Sequence, residues 1–482
     1  MTDPDSGQAV ADRHLHPATL ILRLIKDAPS PLLGLPAAYA VMSGRGWGGL
    51  LFGLVLAAAA LLFFQWLSWR HFRYGIGRQE MVIESGILSR TRRSIPFERI
   101  QDVDIEQGPL ARLFGLAKLR IQTGGAGSDE GVLDSVSLAE AERLRVAIRA
   151  ARPERRDIPA EGEPAAVPLF AMDGARLFLS GLFGFSMVYI ATIFAVLQTV
   201  DRFLPVDIYD PARWIGLVDR HLHDRLTPGA IVTVALLALL LGLVTGIARS
   251  VSRDFGFRLT LEPAGVRRTR GLFTRSDVLI PRRRIQIGLV ETGPVRRALG
   301  WFALSLQTLG GAGTHDVGGL QGVAPLARAG EVDRILARAA DLRARDPRLL
   351  QLVSARRIPR RLIPVAALGL LVVAAGFLFP PAWIALPFLL LNAAALVWER
   401  RFHRFGIEEG LLFVQVGAWR QRQWIIPLRK IQSLRLTRTW LQRRFDLATL
   451  SIDTAGAPVM RGARIADLRA ADARALADRL LG

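Results

Sequence analysis

The fold is decided by a seven-residue stretch that occurs three times: IPFERIQ at 95–101, IPRRRIQ at 280–286 and IPLRKIQ at 426–432. Ten residues before the proline of each copy stands a glycine: Gly86, Gly271 and Gly417. Each glycine separates two short runs of β-type residues, which is typical of a hairpin turn. Because the unit returns with constant internal spacing, we read the chain as three copies of one structural unit.

The residues after each copy continue the same pattern. Apolar residues such as Leu119 and Ile121 alternate with polar ones, and this alternation predicts a half-buried strand. Glycine-rich turns follow at 124–127, 310–313 and 456–457. Each copy closes with an amphipathic helical pattern. Roughly six or seven short strands and one helix predict a small β-barrel or bent β-sandwich capped by a helix, the architecture of a pleckstrin-homology (PH) domain.

Apolar runs without a charged residue precede each copy. They lie at 31–44, 47–69, 177–198, 228–248, 362–379 and 380–398. All but the first are about as long as a helix needs to be to cross the roughly 30 Å hydrocarbon layer of a bilayer. The shorter run 31–44 is either a sixth span or a buried core helix. The sequence therefore predicts an α+β membrane protein with three transmembrane helical hairpins, each followed by a cytoplasmic PH-like β-barrel with a C-terminal helix.

The distribution of charge predicts the orientation. The chain carries a net charge of +21, with +1 in residues 70–168, +13 in 249–361 and +8 in 399–482. The segment 199–227, between the two helices of the second hairpin, carries −1. Since basic segments remain in the cytoplasm, we expect both termini and all three PH-like units to be cytoplasmic. The first thirty residues do not have the pattern of a cleavable signal peptide.

These patterns divide the chain into nine segments. We expect an amphipathic N-terminus at 1–30, a hairpin at 31–69, PH-like domain 1 at 70–152, a linker at 153–176, a hairpin at 177–248 with the external loop 199–227, PH-like domain 2 at 249–345, a linker at 346–361, a hairpin at 362–398 and PH-like domain 3 at 399–482.

The order of these features resembles a known family. An arginine and aromatic entry, a strand pair, Ile-Pro-x-x-Arg-Ile-Gln, Gly-Pro and a final helix follow each membrane hairpin, and this order resembles the bacterial membrane-flanked PH-like domain proteins of the YdbS/YdbT type. The resemblance covers nearly the whole chain, and the three-unit arrangement is similar to the longer YdbT form. It implies a bacterial inner-membrane location and a role in envelope stress or in tolerance to membrane-active peptides. The third copy departs from the pattern, with Thr439-Trp440 in place of Gly-Pro.

The sequence contains no pattern that predicts an enzyme. The glycine-rich turns lack the Gly-Lys-Ser/Thr ending of a phosphate-binding loop, and the histidines occur in unrelated contexts. With no cysteine in the chain, disulfides and cysteine-based metal sites are excluded. We expect no catalytic residue, cofactor or metal. The apolar runs also lack the ionisable residues that mark transport pathways, which favours anchoring over transport.

Clustered basic residues are the candidate binding residues: Arg267, Arg268, Arg270, Arg282, Arg284, Arg420, Arg422, Arg429 and Lys430. A hairpin at Gly271 would bring the two clusters of the second repeat together. Each such charge contributes about 1 kcal/mol near an anionic membrane surface, so we interpret them as contacts to anionic lipid. The alternative is that they only enforce topology and solvate strands. Nucleic acid is not expected as a ligand, because no face interleaves basic and aromatic residues.

The sequence thus predicts a non-enzymatic binding or scaffolding protein at the cytoplasmic surface of the inner membrane. Its expected partners are the lipid bilayer and a paired membrane protein of the same family. The alternative is an accessory subunit of an export or transport complex, which would co-purify with a transporter in fixed ratio after mild solubilisation.

Overall fold

The computed structural model describes residues 11–22, 46–77, 79–87, 89–123, 131–150, 167–184, 228–309, 319–455 and 462–481. Several predicted features lie outside the described residues: the apolar run 31–44, most of the run 177–198, the loop 199–227, most of the linker 153–176 and all three glycine-rich turns.

The three repeats share one order of elements. The first contains β1 (Arg13–His14), α1 (Gly46–His71), β2 (Arg73–Ile76), β3 (Glu80–Ser85), β4 (Thr91–Pro96), β5 (Ile100–Gln107), α2 (Pro109–Leu113), β6 (Leu116–Thr123), β7 (Gly131–Ser137) and α3 (Leu138–Ala150). The second contains β8 (Val167–Ala171), α4 (Gly174–Leu182), α5 (Pro228–Asp254), β9 (Arg258–Glu262), β10 (Gly265–Arg270), β11 (Arg275–Pro281), β12 (Ile285–Thr292), α6 (Pro294–Ala298), β13 (Trp301–Thr308), β14 (Leu320–Arg328) and α7 (Ala329–Ala340). The third contains β15 (Gln351–Leu352), α8 (Arg357–Leu378), α9 (Ala385–Glu399), β16 (Arg404–Glu408), β17 (Leu411–Val416), β18 (Gln421–Pro427), β19 (Ile431–Thr437), α10 (Trp440–Arg444), β20 (Leu447–Thr454), β21 (Arg464–Arg469) and α11 (Ala470–Leu481).

The hairpin predicted at the repeated glycine is present in all three copies. Gly86, Gly271 and Gly417 connect β3 to β4, β10 to β11 and β17 to β18, and they have φ angles of 112°, 111° and 89°. A side chain at Gly271 would collide with the carbonyl oxygen of Thr274. Only glycine takes up such a left-handed conformation without strain, which explains why the residue recurs at this position.

The Ile-Pro motif ends the strands β4, β11 and β18. After the proline, one 3₁₀ turn precedes the next strand, at Phe97–Arg99, Arg282–Arg284 and Leu428–Lys430. Arg282, Arg283 and Arg284 therefore lie in a turn and do not alternate along a strand. Pro281 has no N–H to continue the ladder, and the Ile285 N–H bonds back to the Arg282 carbonyl, which closes the turn.

The β-sheets extend across the predicted domain boundaries. Strands β5 to β7 of the first repeat and β8 to β11 of the second form one seven-stranded sheet, in the order β7-β6-β5-β11-β10-β9-β8. A second seven-stranded sheet joins the second and third repeats in the order β14-β13-β12-β18-β17-β16-β15. The predicted PH-like modules are therefore joined side by side, because the first strand after the Ile-Pro motif of the first and second repeats pairs with the next module.

Both joints between modules use one register. In the first, Gln107 of β5 lies opposite Arg275 of β11; in the second, Thr292 of β12 lies opposite Gln421 of β18. In each pair, one residue stands eleven places after the Ile-Pro proline of its repeat. The other stands six places before the Ile-Pro proline of the following repeat. Side chains on the joint strand β12 serve two cores. Ile285 and Val290 belong to the core of the second module, and Leu289 belongs to that of the third.

The predicted linkers also contribute strands. The lead strand β8 adds to β9, and β15 adds to β16, so the segments before the second and third modules are partly built into the sheets. The N-terminal segment does the same. Strand β1 pairs with β2, Leu15 is buried, and its carbonyl accepts a bond of 2.9 Å from the Trp69 indole. Residues 11–16 are therefore part of the first module, and the predicted separate amphipathic N-terminus is wrong for them.

The pair of apolar helices predicted at 362–398 is present. Among the described residues, Arg357–Leu378 and Pro380–Phe402 are long and apolar enough to cross a membrane, and they pack against each other around the turn at Pro380. For the first two predicted hairpins, the structure describes the second helix of each, α1 and α5. The short α4 packs on α5, where Gly181 allows close approach to Ile247.

The short helix after the joint strand explains one departure in the third repeat. In the first two repeats Pro109 and Pro294 stand at the first position of α2 and α6, where the missing N–H costs nothing. In the third, Thr439 caps α10 instead. Its hydroxyl accepts from the Gln442 N–H at 3.3 Å, and the Gln442 side chain accepts from the Thr439 N–H at 3.0 Å. A capping box thus replaces the Gly-Pro start.

Candidate anion-binding site

A basic cavity lies where α5 meets the joint between the second and third modules. It measures about 610 Å³, and we call it the proximal cavity. One wall is the C-terminal end of α5, another is formed by α6 and β13, and a third by β18 and the turn before it. Its charged lining consists of Arg249, Arg253, Asp254, Arg270, Glu291, Arg296, Arg420 and Arg422.

Six arginines and two carboxylates make this lining strongly positive. Glu291 pairs with Arg422 at 2.8 Å and with Arg420 at 3.1 Å. The buried Asp254 pairs with Arg253 at 3.1 Å and with Arg270 at 3.5 Å. Because each carboxylate is already shared by two guanidinium groups, the lining retains an excess of four positive charges. Guanidinium groups bind phosphate with two parallel hydrogen bonds, so this lining suits a phosphate or another compact anion.

Arg296 shows how crowded the positive charges are. Burial lowers the pKa of its guanidinium group. Glu291 opposes this shift, and the nearby Arg253 and Arg420 add to it by repulsion. The guanidinium carbon lies 5.2 Å from the centre of the Phe183 ring, which holds the side chain against the segment after α4. An anion bound in the proximal cavity would relieve this repulsion.

The contribution of α5 to the cavity has a helical spacing. Gly246, Arg249, Ser250 and Arg253 stand at i, i+3, i+4 and i+7, so they share one face of the helix. The Ser250 hydroxyl donates to the Leu177 carbonyl at 3.0 Å, which fixes this face against α4. Sequence reasoning missed Arg249, Arg253 and Arg296 as site residues. The stripe of small and basic residues on α5 could have revealed the first two.

Three of the predicted contact residues, Arg270, Arg420 and Arg422, line the proximal cavity. Three others are engaged elsewhere. Arg267 forms ion pairs with Asp277 at 2.6 Å and Glu262 at 3.3 Å. Arg268 is 1% exposed and donates to the Gly322 carbonyl, and Arg284 is 5% exposed. The prediction of Arg268 and Arg284 as lipid contacts is therefore wrong, because their side chains point into the protein.

The remaining predicted residues lie at the other end of β11 from the Gly271 hairpin. Arg282, Arg429 and Lys430 meet at a small pocket of about 240 Å³, the distal pocket, together with Arg283. The hairpin at Gly271 bonds to Phe255 at the end of α5, and β11 runs away from it for seven residues. At about 3.3 Å per residue, this strand separates the distal pocket from the hairpin by roughly 20 Å. The predicted single basic face of the second module is therefore wrong.

A buried polar network fixes the third hairpin to the third module. Arg357, at the start of α8, pairs with the buried Asp467 at 3.0 Å, and Arg360 reaches the same carboxylate at 2.8 Å. The Gln442 amide also donates to Asp467 at 3.0 Å. On the other side, His403 Nε2 lies 2.9 Å from Arg357. Movement of the hairpin relative to the module would break these bonds.

Metal chemistry finds no support in this part of the chain. Among the residues that the structure describes, no group of three or more histidine, aspartate or glutamate side chains is placed to hold a metal ion.

The comparisons with known proteins agree with this architecture. The model of the family "Bacterial PH domain" matches at residues 28–152, 211–341 and 354–482. The chain is 26% identical over 377 residues to "UPF0699 transmembrane protein YdbT" of Bacillus subtilis (strain 168), an alignment that covers 72% of each chain. It is 37% identical over 76 residues to "UPF0699 transmembrane protein YdbS" of the same organism, which covers 16% of this chain and 46% of that protein. No solved structure gives a significant match.

Each match of the family model contains one copy of the Ile-Pro motif, and together the three matches account for most of the sequence. The resemblance to the YdbS/YdbT type that the repeated motif indicated is thereby confirmed. The chain belongs to the bacterial PH domain family.

Proposed function

We propose that this protein is a non-enzymatic scaffold of the bacterial inner membrane whose proximal cavity binds the headgroup of an anionic phospholipid. The observation that carries the proposal is the excess of four positive charges in a cavity bounded by α5. Ser180, Gly246 and Ser250 of its lining come from the two helices α4 and α5, so a headgroup there would keep its acyl chains beside apolar helix surface.

The orientation of the chain supports the same proposal. Arginines follow the last turns of the membrane-side helices, and the modules carry most of the net positive charge. We therefore place both termini and all three modules in the cytoplasm, where the leaflet is rich in anionic lipid. An array of joined modules that binds anionic headgroups would also sense changes in the lipid surface or stabilise it. This fits a role in envelope stress or in tolerance to membrane-active peptides.

The proposal is tested with the full chain in detergent and soluble short-chain lipids. Phosphatidylglycerol is expected to bind, and phosphatidylcholine is not. The variant Arg296→Gln/Arg420→Gln/Arg422→Gln should lower the affinity for phosphatidylglycerol at least tenfold. Because exposed charges are screened over about 10 Å at 0.1 M salt, binding should also weaken as salt is raised.

Matched controls separate site binding from general charge. Arg343 and Arg348 are exposed and lie outside the cavity, so Arg343→Gln/Arg348→Gln should leave the affinity unchanged. Inorganic phosphate distinguishes a free anion from a lipid as the ligand. Equal binding of phosphatidylcholine, or an unchanged affinity of the triple variant, would contradict the proposal.

A further inference from the structure

The module array ends in two different strand edges. At its start, β4 is the last strand of the sheet β1-β2-β3-β4; at its end, β19 is the first strand of the sheet β19-β20-β21. The strands equivalent to β4 in the other two repeats are β11 and β18, and those equivalent to β19 are β5 and β12. All four pair across a joint between modules. Among the residues that the structure describes, β19 pairs with β20 alone. An edge of this kind is a template for the addition of another strand.

The backbone of β19 has the geometry of the paired joint strands. It carries the same irregularity next to its first residue, between Ile431 and Ser433, as β5 has between Ile100 and Asp102. Beyond this point the pairing with β20 is regular up to Thr437. Neither a bulge nor a proline thus interrupts the segment that in β12 pairs with the next module.

The side chains of β19 also retain the character of a joint. Leu436 is equivalent to Ile105 and Val290, which stand nine residues after their prolines. Those two residues are 4% and 8% exposed in the joints, whereas Leu436 is 37% exposed. The edge of β19 therefore leaves an apolar side chain uncovered at a position that both internal joints bury.

The neighbouring residue sets the charge of the strand that could dock. Arg435 is equivalent to Asp104 and Leu289, and both are 3% exposed inside joints. A docked strand would bury Arg435 as well, and a buried guanidinium group requires a carboxylate partner. The facing position is the third residue before the Ile-Pro proline, as Trp424 faces Leu289.

The chain's own first module does not provide this carboxylate. In the joint register, Arg93 of β4 would face Arg435, and Arg90 would face Arg438. Two like-charged pairs among five facing pairs oppose docking, since like charges directly opposite destabilise strand pairing. The two internal joints contain no like-charged pair among their paired positions, and the second joint has Glu291 opposite Arg422. The start of the array therefore repels the end of another copy.

We propose that β19 is a docking edge for a PH-like module on a different chain, one whose strand carries Asp or Glu three residues before its Ile-Pro proline. Docking would extend the array by β-strand addition in the register of the internal joints. Because docking joins two different surfaces, contacts of this kind can repeat from chain to chain. The charge on the partner strand decides whether the array stops at one pair of chains or continues. This proposal is independent of the lipid site, because β19 does not line the proximal cavity.

The test uses the full chain as its own probe. The probe chain carries Arg90→Glu and Arg93→Glu, which make the edge at β4 acidic. It also carries Leu436→Lys, which blocks docking at its own β19. Mixed with the fluorescent wild-type chain in detergent, this probe should form a one-to-one complex that sedimentation detects. A receiver with Leu436→Lys should bind at least tenfold more weakly, whereas Leu349→Lys, at another exposed leucine, should bind as the wild type does.

Three outcomes would overturn the proposal. The probe could fail to bind although its sedimentation shows a folded single chain. A probe that retains Arg90 and Arg93 could bind as tightly as the acidic one, which would remove the role of charge. The wild-type chain could form dimers that Leu436→Lys dissociates, which would make a second copy the occupant of the edge.

Discussion

Glu291 of β12 lies opposite Arg422 of β18, and its carboxylate joins the two modules with an ion pair of 2.8 Å at the rim of the proximal cavity. One residue thus serves both the joint between modules and the charge of the cavity. The same carboxylate also contacts Arg420 at 3.1 Å. The cavity is therefore a product of the fusion of two modules, and neither module contains it alone.

Glu291→Gln should have two opposite effects. Loss of the partly exposed ion pair should reduce the free energy of unfolding by about 1 kcal/mol. Removal of one negative charge should at the same time raise the affinity of the cavity for phosphatidylglycerol. Thermal unfolding and lipid titration of the same sample measure both. Glu408→Gln, which removes an ion pair to Arg345 outside the cavity, is the control and should leave lipid affinity unchanged.

Gly271→Val should destabilise the second module. Residue 271 has a φ of 111°, and a side chain there would collide with the Thr274 carbonyl. The expected loss in free energy of unfolding is about 1–3 kcal/mol. Gly322→Val is the matched control, since a side chain at that glycine meets no neighbour. Equal melting temperatures for the Gly271→Val chain and the wild type would contradict the hairpin strain.

Asp467→Asn should loosen the third hairpin from its module. The fully buried carboxylate neutralises Arg357 and Arg360, and removal of one partner of a buried pair costs about 3–5 kcal/mol. Unfolding of the third module should begin at a lower temperature, and proteolysis between α9 and β16 should become faster. Asp472 lies on the exposed face of α11, so Asp472→Asn should change neither the onset of unfolding nor the rate of proteolysis.

His403 should make the stability of the third module depend on pH. Burial, followed by repulsion from Arg357, lowers the pKa of His403 to about 4, while Glu399 opposes the shift. In the unfolded chain the pKa is about 6.5, so the unfolded state binds more protons between these values. Stability should be complete above pH 6.5 and should decrease as the pH falls towards 4. Arg361 also lies near this histidine and adds to the shift.

The measurement compares melting temperatures of the wild type and His403→Gln from pH 7 to pH 4.5. The difference between the two should change across this range. A constant difference between wild type and His403→Gln would show that His403 does not titrate in this window.

Reporter fusions test the orientation. A reporter at Gly482, or within residues 152–164, should give a cytoplasmic signal, and one at Pro211 should give an external signal. These expectations follow from the charges of +13 and +8 in the second and third modules against −1 in 199–227. A cytoplasmic signal at Pro211 would contradict the six-helix topology.

The sequence by itself determined the repeat, the hairpins at Gly86, Gly271 and Gly417, and the end of a strand at each Ile-Pro motif. These features depend on local backbone requirements. A glycine is needed where φ is positive, and a proline ends a strand because it lacks an N–H. Constant spacing between such residues was therefore enough to identify the unit and its family.

Only the tertiary structure decided how the units combine. The pairing of β5 with β11 and of β12 with β18 joins strands from different repeats, and the alternation of side chains does not specify which edge a strand meets. The fate of each arginine followed from that pairing. Arg268 and Arg422 both belong to basic clusters in the sequence. Arg268 is buried in its own module, whereas Arg422 lines a cavity between two modules, because burial depends on contacts distant in the chain.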